Sequence, residues 1–307
     1  MIPQSAPIKH SVQPSSGLGN VEEAIRELID RHFFTRTDQY LEIVPWLHER
    51  REYKSCGRIS GSRGVGKTRA LQEYIAMVNG HRGPMRRIKP LRSFYLKSFT
   101  SWGTRDVFNR ILELLNHGAR QGAPKDIRLR TWEMLEDFGL ELLILDNAHL
   151  VTDKVLFDLV ECYRDFKAAI VLVGPNDELD KRLKALDLLN NFRCHRKFQS
   201  LSPRQLVSAL KGFKKDVLAL PETTEFFDGE IINAICEASG GNASKPDEPG
   251  CNFTAITEIL VLTIAQSSKD GVLRLDKGIL RKVLLDYGVA FEPKSEEQND
   301  TEPGVTG

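Results

Sequence analysis

Long apolar runs are missing from this 307-residue sequence, and so are the marks of export. Its longest apolar stretches, such as AAIVLVG at 168–174, are too short to span a bilayer. Residues 1–20 have no apolar core of the signal-peptide type and are rich in Pro, Ser and Gln, which is typical of a disordered arm. We therefore expect a cytoplasmic protein with an unstructured arm at 1–20.

Cysteine is scarce and widely spaced in the chain. None of the five cysteines forms a CxxC pair and no His cluster accompanies them, which argues against a structural zinc site or a disulfide framework. Free thiols in a reducing compartment are the expected state. The cysteines are Cys56, Cys162, Cys194, Cys236 and Cys251.

Acidic residues are rare in one part of the sequence. Residues 50–130 contain 19 Lys and Arg against 5 Asp and Glu, a net charge of +14. Because the whole chain carries +1, the remainder carries −13. A polyanionic partner is the natural hypothesis for such a basic segment. The alternative is a solvated face whose charges are paired with the acidic remainder of the same chain.

Apolar runs of strand length alternate with segments of helical spacing up to residue 201. Continuous runs such as ELLILDN are expected for parallel strands that are buried on both faces. The alternation predicts an α/β domain over 21–201 with a central parallel sheet flanked by helices. Residues 202–287 show only helical spacing, which predicts a small all-helical subdomain. The acidic, apolar-poor stretch 288–307 is expected to be disordered.

Several residues mark where the predicted helices begin and end. Ser202, which precedes Pro203, and Asp276 occupy good helix-start positions. Thr104 is predicted to cap a helix that stops at Gly118, and Gly80 to end the helix that follows the glycine-rich stretch.

The stretch GSRGVGKT fits the pattern GxxxxGK[ST] in full, after a predicted strand and before a predicted helix. Glycines let backbone N–H groups close around phosphates, and the helix N-terminus directs its positive dipole end at them. Lys67 is expected at the β- and γ-phosphates, and Thr68 at a magnesium ion. The predicted ATP-binding residues are Gly61, Ser62, Arg63, Gly64, Val65, Gly66, Lys67 and Thr68.

Asp146 ends the apolar strand LLILD, so its carboxylate is expected at the carboxyl edge of the sheet beside the glycine-rich loop. That position suits a second magnesium ligand, while a helix N-cap is the alternative. Asn147 follows, where a hydrolytic site of this layout has an acid. An amide orients water but cannot accept its proton, so we expect slow hydrolysis.

Two further residues are candidates for reading the nucleotide. Asn176 follows the next strand, at a position suited to sensing the γ-phosphate, and a turn Asn is the alternative. Arg193, in NNFRCHRKF, is a candidate arginine finger that reaches the nucleotide of a neighbouring subunit; a plain surface arginine is the alternative.

Together these motifs resemble those of AAA+ ATPases. The stretches RREYKSCGRISGSRGVGKTRA, GLELLILDNAHLV, AAIVLVGPNDELDKRL and NNFRCHRKFQSLS resemble, in order and spacing, the TnsC, TniB and MuB group of transposition ATPases. The closest likeness is to the short TnsC proteins of CRISPR-associated transposons, over about residues 30–287. Two positions depart from that pattern: Asn147 replaces an acid, and Ala255 stands where the helical subdomain often has a sensor arginine. Lys245 is a candidate substitute for that arginine.

The resemblance implies ATP and Mg²⁺ as cofactors and homo-oligomers, as rings or helical filaments on duplex DNA. It also implies a transposase, a TniQ-type target selector and a CRISPR effector as partners. The DNA contacts implied are Arg105, Arg120 and Lys125, with sequence-independent, salt-sensitive binding. Arg86, Arg87 and Lys89 are more weakly implied, since they also suit a solvated loop.

Two other classes of function share this layout. A nucleotide-gated signalling switch of the STAND type needs no DNA, and the absence of a visible repeat-containing sensor domain counts against it. A helicase or clamp loader has a similar sheet, but an efficient one is expected to keep the acid at position 147.

Overall fold

A computed structural model describes residues 25–26, 28–30, 34–80, 92–118, 121–221, 223–268 and 273–290. A five-stranded parallel sheet forms its centre, with strands in the order β2-β3-β4-β1-β5. This arrangement confirms the predicted α/β class. The strands are β1 (Gly57–Gly61), β2 (Ser93–Lys97), β3 (Leu142–Asp146), β4 (Ala169–Gly174) and β5 (Cys194–Phe198).

Helices connect the strands and then make up the rest of the described chain. Those of the α/β part are α1 (Asp38–Glu52), α2 (Lys67–Asn79), α3 (Thr104–Leu114), α4 (Pro124–Asp137), α5 (Asp153–Phe166) and α6 (Asn176–Ala185). Those of the C-terminal part are α7 (Pro203–Gly212), α8 (Gly229–Ala238), α9 (Phe253–Ser267) and α10 (Lys277–Asp286).

The two central strands are apolar throughout because both faces of the sheet are covered. Every residue of β3 and β4 is buried. Leu143 and Leu145 pack in a core cluster with residues of α3, α4 and α5, whereas Leu142 and Ile144 pack in a second cluster with residues of α1 and α2. This alternation between faces is what a doubly covered parallel sheet requires.

The C-terminal helices have a core of their own, which agrees with the predicted helical subdomain. Leu28 and Leu201 also pack in this core. Both lie near the ends of the range 21–201 that the sequence assigns to the α/β domain. At these two points, residues of that range pack in the core of the helical subdomain.

Helix α3 differs from its prediction at both ends. Its N-cap is Gly103, and Thr104 is the first helical residue; the Thr104 hydroxyl donates to the buried Asp158 carboxylate at 2.6 Å. The helix ends at Leu114 rather than Gly118, because Asn116 adopts a left-handed φ of +56° that breaks the ladder. The start positions at Ser202 and Asp276 are confirmed, since each side chain accepts a backbone N–H of its helix.

Among the residues that the structure describes, no helix is long and apolar enough to cross a membrane. All five cysteines are free thiols.

Candidate nucleotide-binding site

A cleft of about 780 Å³ opens at the carboxyl edge of the sheet. The loops after β1, β2, β3 and β4 and the start of α2 form one side of it, and the first turns of α9 from the helical subdomain form the other. Its lining includes most of the predicted ATP-binding residues. The lining residues are Arg63, Gly64, Val65, Gly66, Lys67, Thr68, Arg69, Gln72, Thr100, Asp146, Asn147, His149, Leu150, Gly174, Pro175, Phe253, Thr254 and Thr257.

Glycine is required at two points of the loop between β1 and α2. Gly64 and Gly66 have φ of +78° and +91°, a left-handed region that disfavours side chains. In the described part of the chain, the backbone N–H groups of Gly64, Val65 and Gly66 donate to no other group. Unpaired N–H groups beside the N-terminus of α2 are what a phosphate site needs.

Lys67 begins α2 and bends back over the loop. Its ammonium Nζ donates to the carbonyl oxygens of Gly61 at 2.6 Å and Ser62 at 2.7 Å. Those two residues, predicted to bind ATP, therefore contribute carbonyl groups that hold Lys67 and do not themselves line the cleft. Burial lowers the pKa of Lys67, and the Asp146 carboxylate opposes that shift.

Asp146 ends β3 with a carboxylate that is almost fully buried, at 1% exposure. Its Oδ2 accepts from the Thr68 hydroxyl at 2.6 Å and from the Tyr95 hydroxyl at 2.7 Å, and its Oδ1 accepts from the Asn147 N–H at 2.9 Å. A hydroxyl and a carboxylate in direct contact are hard oxygen donors of the kind Mg²⁺ prefers. The pair Thr68 and Asp146 therefore fits the predicted magnesium position.

Tyr95 was not among the predicted site residues. It lies on β2, whose parallel register pairs Lys97 with Asp146 and so brings Tyr95 within reach of that carboxylate. Burial and the Asp146 carboxylate raise the pKa of Tyr95, so the phenol remains a neutral donor. In the sequence Tyr95 is a single tyrosine within a predicted strand. Its contact with Asp146 cannot be predicted without knowing that β2 lies beside β3.

Asn147 lines the cleft directly after Asp146 and has a left-handed φ of +58°. Asparagine is enriched in that conformation, so Asn147 suits the backbone here as well as lining the cleft. Its carbonyl oxygen accepts from the Ser98 hydroxyl at 2.9 Å. Two residues on, the His149 side chain also lines the cleft and is 8% exposed, with Nε2 3.5 Å from the Glu178 carboxylate. Burial lowers the pKa of His149.

Asn176 and Arg193 lie outside the cleft lining. Asn176 is the first residue of α6, with its Oδ1 buried and without a hydrogen-bond donor in the described residues, while Gly174 and Pro175 line the cleft beside it. Arg193 is exposed and precedes β5, whose Cys194 pairs with Gly57 at the start of β1. A five-residue strand, or roughly 16 Å at 3.3 Å per residue, therefore separates Arg193 from the glycine-rich loop of its own chain.

Helix α9 contributes residues that the sequence did not single out. Phe253, Thr254 and Thr257 line the cleft, and the Asn252 side chain donates to the Arg63 carbonyl at 3.1 Å. Ala255, the position lacking the sensor arginine, lies in the first turn of this helix. Lys245 is not in the cleft lining, and its Nζ pairs with Glu248 at 2.8 Å on the surface. The structure thus places Lys245 on the surface beside Glu248, and its role as a substitute for that arginine stays a prediction.

Two of the three predicted DNA-contact residues, Arg105 and Lys125, lie on α3 and α4. Arg105 of α3 donates to the Gly122 carbonyl at 2.5 Å, which ties it to the loop before α4. Lys125, in the first turn of α4, is exposed and has no ion pair within the described ranges. Arg120 lies outside the described residues, as do Arg86, Arg87 and Lys89.

Part of the basic segment is neutralised by the acidic remainder of the chain. Arg128 pairs with the carboxylates of Asp158 and Glu161, and Arg58 pairs with Asp180 at 2.7 Å. The intramolecular alternative thus accounts for some of the charge, whereas Lys125 has no ion pair among the residues that the structure describes.

Comparisons with known proteins place the fold. A family model described as an AAA domain matches residues 50–183. The structure is similar to Cdc6p from Pyrobaculum aerophilum, with 19% identity over 90% of this chain and 69% of that chain and a TM-score of 0.58. It is also similar to the Aeropyrum pernix ORC2 protein, solved as ADPNP and ADP complexes, with 13% identity over 85% and 71% of the two chains and a TM-score of 0.62.

A third similar structure is the Aeropyrum pernix ORC1 protein in complex with DNA, with 12% identity over 82% of this chain and 65% of that chain and a TM-score of 0.57. No curated protein matches the sequence. The family match covers strands β1 to β4 and the loops that follow them at the cleft, while β5 and α9 lie beyond it. Residues 50–183 match the AAA domain model, and the chain has the AAA+ fold.

Proposed function

We propose that this protein binds ATP with Mg²⁺ and, in that state, assembles as a homo-oligomer on duplex DNA. The observation that carries the proposal is the cleft itself. Unpaired N–H groups of the glycine-rich loop, the Lys67 ammonium and the Thr68–Asp146 pair converge there. Glycine-rich backbone, one lysine and two hard oxygen donors are the set that a magnesium triphosphate requires.

Bound Mg²⁺ would supply charge neutralisation at the β- and γ-phosphates. Thr68 and Asp146 would hold it, and Tyr95 and the Asn147 N–H would orient the carboxylate from behind. Asn147, which lines the cleft, would orient water near the γ-phosphate without taking its proton. We therefore propose slow ATP turnover, so that the nucleotide serves mainly to hold an assembly together.

The position of Arg193 supports a head-to-tail assembly. Arg193 cannot contact a nucleotide in the cleft of its own chain. It precedes β5 at one edge of the sheet, whereas the cleft lies at the opposite edge, where β1 and β5 end. An exposed arginine at the far edge of the sheet suits contact with the nucleotide of an adjacent copy. Interfaces of this heterologous kind close into rings or extend as helical filaments.

Duplex DNA is proposed as the polyanion for the surface that carries Arg105 and Lys125. The free charge of Lys125 and the exposure of both side chains support it, and structurally similar proteins include one in complex with DNA. The finer role that we propose is regulation of transposition, with a transposase and a TniQ-type target selector as partners. Its support is the resemblance to the TnsC, TniB and MuB group.

Arg105→Ala and Lys125→Ala should each weaken binding to all duplex sequences alike. The reason is that a phosphate contact carries no sequence information. Each lost contact should also lower the slope of log affinity against log salt by about one. Fluorescence anisotropy with two unrelated duplexes, titrated at four salt concentrations with ATP present, measures both quantities.

Lys282→Ala is the matched control, since Lys282 is an exposed lysine of the helical subdomain. It should leave affinity and slope unchanged. An unchanged slope in both test variants would place the DNA surface elsewhere, and a loss confined to one duplex would indicate base readout.

A further inference from the structure

The glycine-rich loop is held from outside the AAA domain by hydrogen bonds, which we call the loop–helix clasp. The Asn252 Nδ2 donates to the Arg63 carbonyl at 3.1 Å. The Thr254 N–H donates to the Gly64 carbonyl at 2.9 Å, and the Thr254 hydroxyl donates to the same oxygen at 3.3 Å. All three donors come from the start of α9, in the helical subdomain.

Both polar atoms of the Asn252 side-chain amide make hydrogen bonds. Its Oδ1 caps α9 by accepting from the N–H groups of Thr254 at 3.0 Å and Ala255 at 3.2 Å. Because the oxygen faces the helix, the amide nitrogen faces the loop. One side chain thus joins the N-terminus of α9 to the glycine-rich loop.

The glycine-rich loop leaves room for the Asn252 side chain because residue 64 is a glycine. A Cβ added at Gly64 would lie 2.5 Å from Asn252 Oδ1, closer than a real contact allows. Gly64 therefore has to lack a side chain for two reasons, its φ of +78° and the contact with Asn252. Beside it, Phe253 lies against Gly66, within 3.7 Å of where a Cβ would be.

Fixing two carbonyl groups also fixes two amide groups. In a trans peptide the C=O and the following N–H point in opposite directions. The clasp on the carbonyls of Arg63 and Gly64 therefore turns the N–H groups of Gly64 and Val65 away from α9. Those are N–H groups that donate to nothing else in the described chain.

We propose that Asn252 is a positioning residue that holds the glycine-rich loop in its phosphate-binding conformation and thereby sets how long a nucleotide stays bound. The inference rests on the proposed ATP binding. With the clasp closed, the loop amides are arranged before the phosphates arrive, so less ordering accompanies binding. By linkage, a bound nucleotide stabilises the docking of α9 to the same extent.

Asn252→Ser separates the clasp from the helix cap. Serine is a good N-cap, so α9 keeps its start, but its short hydroxyl cannot also reach the Arg63 carbonyl. Thr254→Val is the second variant, since it removes one donor to the Gly64 carbonyl and keeps the N–H. Asn242→Ser is the matched control, because Asn242 accepts from the Ser244 N–H in the same subdomain without contacting the loop.

The measurement is stopped-flow binding and displacement of fluorescent methylanthraniloyl-ATP with Mg²⁺, together with thermal unfolding of each variant. Asn252→Ser should release the nucleotide about 3- to 10-fold faster, the factor that one hydrogen bond contributes, with a nearly unchanged association rate. Thr254→Val should act in the same direction, and Asn242→Ser should match the natural protein.

Unchanged release rates in Asn252→Ser and Thr254→Val would overturn the inference, and so would a lowered melting temperature with unchanged release. A natural protein that binds no nucleotide would instead overturn the proposed function itself, and the clasp with it. Nucleotide binding by the natural protein therefore distinguishes the two failures.

Discussion

Lys67→Ala should weaken ATP binding by about 100-fold or more and abolish ATP-dependent binding to DNA in the same step. Hydrogen bonds to charged groups contribute about 1.5–3 kcal/mol each, and about 1.4 kcal/mol is a factor of ten in affinity. Lys67 is the lysine that the cleft offers to the phosphates beside the unpaired N–H groups of the loop. Isothermal titration with ATP, followed by DNA anisotropy with and without nucleotide, measures both effects.

The control for that variant is Lys211→Ala, which removes an exposed lysine of α7. It should bind ATP and DNA as the natural protein does. If DNA binding by Lys67→Ala still depends on nucleotide, ATP bound in this cleft does not control DNA binding, and the proposed role of the site is wrong.

Asn147→Glu is expected to raise ATP turnover, by up to the 10²- to 10⁴-fold that a general base typically contributes. The natural amide cannot accept the proton of the attacking water, whereas a carboxylate at the same place can. If assembly depends on bound ATP, faster turnover should also shorten the lifetime of the assembly on DNA. Phosphate release with DNA present, and decay of the assembly after ATP removal, are the two measurements.

The backbone at position 147 adds a cost that the sequence did not reveal. Its φ of +58° suits Asn and Asp better than Glu, so Asn147→Glu should also destabilise the fold by roughly 1 kcal/mol. Asn147→Asp tolerates that conformation and serves as the matched variant with a shorter acid. Brisk turnover in the natural protein, unchanged in both variants, would contradict the proposal and direct attention to His149, the buried imidazole in the same cleft.

The sheet and the phosphate loop were predictable because their signals are local. Strand β3 is apolar because both its faces are buried, and its last residue is Asp146; the loop glycines are fixed by positive φ. Lys67 follows at the helix start that the motif demands. Each of these features depends on a few consecutive residues, so one sequence is enough to read it.

Contacts made across strands or between subdomains could not be predicted in this way. Tyr95 reaches Asp146 only because β2 lies beside β3 in parallel register. Asn252 reaches Arg63 across a sequence separation of 189 residues, and nothing in the local pattern of α9 shows it. Both are polar residues whose partners are set by tertiary packing.

The net charge of the basic segment could be predicted from the sequence, but which of its side chains form ion pairs could not. The sequence shows the excess of basic residues in 50–130, yet Arg128 and Arg58 are already paired with carboxylates of the same chain. The pairing follows from how α4 and α5 pack and how β1 and α6 pack. Lys125 has no such partner in the described chain, which makes it the sharper probe of a DNA surface.

Electron microscopy of the natural protein with duplex DNA, compared between ATP with Mg²⁺, a non-hydrolysable ATP analogue and ADP, tests the central claim most directly. We expect ordered rings or helical filaments on DNA with ATP and with the analogue, and bare DNA or scattered particles with ADP. In those assemblies Arg193 should lie at the nucleotide of the adjacent copy. The same assemblies with ADP or without nucleotide, or monomers under every condition, would contradict the account.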